Sequence, residues 1–188
     1  MTQGRIDLAL IHHPVLNKRG DVVTTAVTNM DIHDIARTAR TYDVRSFYIV
    51  TPLPAQRLFV QRILDHWREG YGKQYNPSRH DAFRHITVTE TLDETIDDIV
   101  GSDGIGPLLV ATSAVLHSQA SPYELVKRMV HEEGKNVLLI FGTGWGLAET
   151  VFTQADIILE PIRGNATYNH LPVRSAVAIT LDRLVGLG

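Results

Sequence analysis

The chain reads as an α/β protein, a mostly parallel sheet of six strands with helices on both faces. Three observations predict this. Short apolar runs recur at 6–11, 46–50, 86–88, 107–112, 137–141 and 157–159, each brief enough for a strand buried on both faces. Stretches with helical apolar spacing lie between them, the β-α alternation that builds parallel sheets. The last two runs lead straight into loops rich in glycine and proline, where ligands of open parallel sheets lie.

The elements follow in order. Residues 6–11 alternate little and form a buried strand ending in His12-His13-Pro14. Adjacent strand residues point to opposite faces, so the two histidines do not converge on one ion, and no metal is expected. Residues 17–28 are a polar loop. A helix over 31–42 takes Ile32, Ile35, Ala36 and Ala39 on its apolar face, with Thr28 or Asn29 as cap and Arg37 and Arg40 three apart. The strand 46–50 turns through Pro52-Leu53-Pro54 into a helix over 55–68, with Leu58, Ile63 and Leu64 inward.

Residues 69–84 read as an irregular loop that interleaves Tyr71, Tyr75 and Phe83 with Lys73, Arg79 and Arg84. Rings beside cations suit unstacked RNA bases, and equally suit a loop packing its own aromatics. A strand at 86–88 precedes an acidic helix capped by Thr91 and running through Val100; 101–106 is a loop. The strand 107–112 ends in Ala111-Thr112-Ser113-Ala114. Ser121 and Glu124 have the spacing of a capping box for a helix to His131, which Gly134 stops. The final helix covers 171–185, with Pro172 in its first turn and Val173, Val177, Leu181 and Leu184 inward.

Two loops stand out. One is Gly142-Thr143-Gly144-Trp145-Gly146; the other is Glu160-Pro161-Ile162-Arg163-Gly164-Asn165. Glycine permits positive φ and lets a ligand touch the main chain. The pair could enclose one small molecule, or merely turn strands into helices. No Walker lysine follows, which excludes a P-loop. A Rossmann sheet places such a loop after its first strand; here only about 40 residues follow, against on the order of 30 for each βα unit.

With 188 residues, 44% of them hydrophobic, the chain can bury a full core as one domain. There is no run of ~18 apolar residues and no apolar core of a signal peptide, which sets a cytoplasmic expectation without a membrane. The absence of cysteine excludes disulfide and thiolate chemistry. The net charge of −3 is unevenly spread: 37–84 holds nine bases against four acids, and 90–103 holds six acids and no base. That is a basic face on an acidic protein, or ordinary solvated helix faces.

Three segments carry a family resemblance: the run 28–40 with its Ile35-Ala36-Arg37-Thr38-Ala39 core, the glycine loop 141–147, and 159–179, a proline- and glycine-containing loop leading into the last helix. With these the chain resembles, over nearly its whole length, the SPOUT-class RNA methyltransferases, in particular a bacterial family of small single-domain members. The resemblance implies a deep C-terminal trefoil knot, with the cofactor site in about 107–188 of a single domain spanning 1–188. It implies S-adenosylmethionine bound at Thr112, Gly142, Gly144, Leu159, Pro161, Ile162, Asn169, His170 and Leu171. Arg37 falls where the class places a catalytic arginine. A homodimer and an RNA substrate, tRNA or rRNA, are implied as well.

Where the ribose-methylating branch has an asparagine this chain has Asp31, and its Ser-Leu-Asn run is here Tyr168-Asn169-His170. The acceptor is therefore left as a ribose 2′-hydroxyl or a base nitrogen. Arg37 could lower the pKa of a ribose hydroxyl or bind the neighbouring phosphate, or pair with Asp34. His170 could accept a proton near neutral pH, or cap the last helix. The alternative to an enzyme is a non-catalytic module of the same fold that binds cofactor or RNA with a partner.

Overall fold

The computed structural model describes residues 3–164 and 168–187. In chain order the elements are β1 (Ile6–Ile11), β2 (Val15–Leu16), β3 (Val22–Val23), α1 (Asn29–Thr41), β4 (Ser46–Val50) and α2 (Pro54–Arg68). Then come α3 (Tyr71–Tyr75), α4 (Pro77–Phe83), β5 (Ile86–Thr89), α5 (Leu92–Asp103), β6 (Leu108–Ala111) and β7 (Ala120–Ser121). The last are α6 (Tyr123–His131), β8 (Val137–Gly142), α7 (Glu149–Gln154), β9 (Ile157–Leu159) and α8 (Val173–Val185).

Seven strands form one sheet in the order β5-β4-β1-β8-β6-β9-β7, and every pairing in it is parallel. Alternate strand residues feed two cores, as the period of two requires. On one face Leu8, Leu10, Phe47, Leu139 and Phe141 pack against α1, α2, α4, α6 and α8. On the other, Ala9, Ile11, Tyr48, Leu138 and Ile140 pack against α5 and α7. Because both faces are covered, the strands are apolar throughout. Burying a ring such as Phe47 completely is worth roughly 2–3 kcal/mol.

Several expectations are corrected. The sheet has seven strands, not six: β7 has two residues and no pattern of its own, and exists by pairing with β9. That pairing displaces the capping box. Ser121 is a strand residue whose carbonyl accepts the Glu160 N–H at 2.9 Å, so α6 starts from Pro122 with no side-chain cap. The loop 17–28 contains β3, which pairs antiparallel with β2. The stretch 69–84 is two short helices, not irregular. Asn76 caps α4 by accepting the Arg79 N–H at 3.0 Å, and Pro77 starts it, a signal legible in the Asn-Pro pair. Leu58 is 54% exposed, because the inward stripe of α2 runs through Val60 and Leu64. α8 begins at Val173, leaving Leu171 in the preceding segment. Thr28 caps α1 and Thr91 caps α5 as the sequence indicates.

Candidate functional site

β8, β6 and β9 are parallel neighbours, so their carboxyl ends open on one edge of the sheet. Gly142 closes β8, Ala111 closes β6 with Thr112 next, and Leu159 closes β9 with Pro161 and Ile162 following. The two glycine loops therefore flank β6 and are not adjacent. Thr112 is fixed to Ile140, whose carbonyl accepts both its N–H and its hydroxyl at 3.0 Å. Asn169 donates its side-chain amide to the Ala114 carbonyl at 3.0 Å, tying the segment before α8 to the loop after β6. The His170 ring lies 6.2 Å from that of Trp145 and 5.3 Å from that of Tyr168. The structure thus gathers Thr112, Gly142, Gly144, Leu159, Pro161, Ile162, Asn169, His170 and Leu171 at one end of the sheet. Asn165 of the second loop lies outside the described residues.

The glycine loop is shaped by the chain itself. Gly144 has φ +61°, and a Cβ there would lie 2.9 Å from the Leu16 carbonyl oxygen. Trp145 donates its N–H to that oxygen at 3.0 Å, and Leu16 donates to the Gly146 carbonyl at 2.9 Å. The close backbone approach that the sequence assigns to a ligand is made at Gly144 by the β2–β3 hairpin. The N–H groups of Thr143 and Gly144 meet no acceptor among the described residues, and so remain main-chain donors beside the strand ends.

Behind the loop is a buried polar relay that the sequence reading missed. Thr143 donates its hydroxyl to the Ile11 carbonyl at 3.0 Å, and its Oγ1 lies 2.5 Å from Thr25 Oγ1. Thr25 Oγ1 is 3.1 Å from Nδ1 of His12, which is wholly buried. With the Thr143 proton committed to Ile11, the Thr25 hydroxyl donates to Thr143 and must accept from His12. That order places the imidazole proton on Nδ1 and leaves Nε2, which has no partner among the described residues, as a bare acceptor. Burial lowers the His12 pKa to about 4, against the pull of Asp31, so the ring is neutral near pH 7.

Arg37 lies apart from the strand ends. It is exposed on α1, in a shallow groove shared with Asp34, Thr38, Thr41, Tyr42 and Ala178 of α8. Its expected partner Asp34 faces Arg174 at 3.5 Å, and Arg37 has no ion pair among the described residues. His170 does not cap α8, whose N-cap is Pro172. Asp31 accepts from Arg174 at 3.2 Å and from the Thr28 hydroxyl at 2.6 Å, which explains an acid at that motif position.

The stretch 37–84 is not one free basic face. Arg45 pairs with Asp7 and Asp103, Arg40 with Asp81 at 2.5 Å, and Arg57 with Glu90 at 3.2 Å. Arg68 donates to the Phe83 and Ile86 carbonyls, and Arg79 lies 5.1 Å over the Trp67 ring. Among the described residues, no cluster of acids and histidines could hold a metal, and no helix is long and apolar enough to cross a membrane.

Comparison with known proteins adds to this geometry. The chain is 40% identical over 184 residues to an uncharacterized protein of Aquifex aeolicus, covering 98% of this chain and 90% of that one. It is 44% identical over 178 residues to a tRNA (guanine-N(1)-)-methyltransferase of Oleidesulfovibrio alaskensis, covering 95% of this chain but only 41% of that protein. The fold matches the SpoU methyltransferase AviRb from Streptomyces viridochromogenes, solved in complex with AdoMet. The TM-score is 0.60 at 15% identity, over 98% of this chain and 58% of that one. A family model described as SAM-dependent RNA methyltransferase matches residues 5–186, and the chain belongs to that family.

Proposed function

We propose that this chain transfers a methyl group from S-adenosylmethionine to tRNA or rRNA, at a ribose 2′-hydroxyl or a base nitrogen. The observation that carries the site is the joining of the β6, β8 and β9 ends by the Asn169–Ala114 bond and the Trp145–His170 contact. The residues present fit the cofactor, since the strand ends offer the unbonded N–H groups of Thr143 and Gly144 on one side of β6 and the loop with Pro161 and Ile162 on the other. Bound S-adenosylmethionine supplies a methyl group already activated by its sulfonium. What remains for the chain is alignment and acceptor activation. Exposed His170 can take the acceptor's proton. Arg37, which has no ion pair among the described residues, can hold the phosphate or lower the pKa of a ribose hydroxyl.

Two structural readings go with this one. β9 is held between β6 and β7, which belong to one continuous segment, 108–121. The chain leaving β9 then meets that segment again at Ala114. Threading through it would make the trefoil knot. Exposed Val115, Leu116 and Leu171 beside the loops supply apolar surface that a second copy would cover. A monomeric mass by light scattering at micromolar protein would rule out that homodimer.

The relatives named tRNA (guanine-N(1)-)-methyltransferase favour tRNA, although this chain spans 41% of their length. Mass spectrometry of RNA nucleosides from a deletion strain tests the function. One methylated nucleoside should vanish and return with the chain. Tight cofactor binding with no change in any RNA pool would instead favour the non-catalytic module.

A further inference from the structure

We infer that Tyr71 and Tyr75 form a stacking platform for an unpaired base of the RNA substrate. The inference rests on the RNA methyltransferase reading and adds a contact outside the cofactor site. The two tyrosines are one turn apart on α3. Their rings are stacked, with centroids 5.9 Å apart and planes at 26°. They are 71% and 72% exposed, so two large rings are left in water instead of in a core. A flat, exposed π-surface accepts any base that is free of its own stack.

The platform has a rigid mount. Gly72, between the tyrosines, is buried, and a Cβ there would lie 2.7 Å from Cε3 of Trp67. Trp67 in turn packs edge-on against His33, with ring centroids 5.4 Å apart, and lies beneath Arg79. His33 belongs to α1, one turn before Arg37 on the same helix face. The tyrosines and Arg37 are thereby carried by one packed unit. A strand laid on the platform would have a short path to the arginine.

Charge favours a polyanion over an apolar partner. Lys73 stands between the tyrosines in sequence. It is exposed, as are Arg62 and Arg84, and none of the three has an ion pair among the described residues. Asp65 and Glu69 at the end of α2 oppose them, while Asp81 is held by Arg40. The segment 62–84 that carries the tyrosines is mildly cationic, with five bases against three acids. That suits a single strand held by stacking better than a duplex held by counterion release.

The test uses a single-stranded oligoribonucleotide carrying 2-aminopurine and a duplex of the same sequence, titrated with the full chain. Changing both residues, Tyr71→Ala and Tyr75→Ala, should weaken single-strand binding about tenfold or more. Duplex binding, the melting temperature and calorimetric S-adenosylmethionine affinity should not move, and Tyr71→Phe with Tyr75→Phe should bind like wild type. Alanine variants that hold the single strand as wild type does would overturn the platform alone. Equal loss on single strand and duplex would overturn it in favour of a purely electrostatic contact. Loss of self-association with RNA affinity intact would make the rings a copy-to-copy contact. Wild-type protein that binds neither RNA would overturn the platform and the RNA reading together.

Discussion

Arg174, in the first turn of the last helix, donates to Asp31, in the first turn of the first helix, at 3.2 Å across 143 positions of sequence. Asp31 is nearly buried, so its carboxylate depends on this partner and on the Thr28 hydroxyl. The bond ties the first turn of α8 to that of α1, directly after the segment carrying Asn169, His170 and Leu171.

Arg174→Ala should therefore cost about 1 kcal/mol of stability and also weaken cofactor affinity. Chemical denaturation and calorimetry measure the two effects. In a double-mutant cycle with Asp31→Asn the two changes should be non-additive. Strict additivity would show that the bond contributes nothing.

Gly144→Val should unseat the glycine loop. Its positive φ costs a branched residue roughly 1–2 kcal/mol, and the added Cβ would press on the Leu16 carbonyl. A fall in melting temperature should accompany lost S-adenosylmethionine binding. Gly146→Ala meets no atom within 4 Å at its Cβ, and should show the smaller, purely conformational cost. Unchanged cofactor affinity in the valine variant would separate this loop from the site.

Acid should loosen the relay behind that loop. The folded-state pKa of His12, about 4, lies below its ordinary 6.5 because burial disfavours the cation. A depressed pKa means the stabilisation is complete above pH 6.5 and is lost as pH falls through 4. The loss is on the order of 3 kcal/mol. Denaturation between pH 7 and 4 should show a steeper decline for wild type than for His12→Gln. Parallel curves would mean that the ring is not kept neutral by the fold.

Arg37→Ala should impair methyl transfer while sparing S-adenosylmethionine affinity, because the proposed partner of the guanidinium is the acceptor. Single-turnover assays on the substrate RNA, set beside cofactor calorimetry, distinguish the two. A wild-type rate would make Arg37 a surface residue without a part in the reaction.

Local pattern made much of this protein legible. The apolar runs ending at Ile11, Val50, Phe141 and Leu159 specify buried strands, since a strand covered on both faces needs apolar residues throughout. Thr28 and Thr91 are readable as caps because capping acts over three residues. The resemblance carried by 28–40, 141–147 and 159–179 pointed to the family. Tertiary structure alone decided the strand order, the two-residue strand β7 and the hairpin closing on Gly144. It also decided the meeting of Arg174 with Asp31, and which cations of 37–84 are paired. Each depends on partners far apart in sequence, whose pairing is set by which side chains fill the shared core, so no local window records it. Gly144 shows the division most directly. The sequence required a residue without a side chain there, and only the fold showed that the atom in the way is the carbonyl oxygen of Leu16.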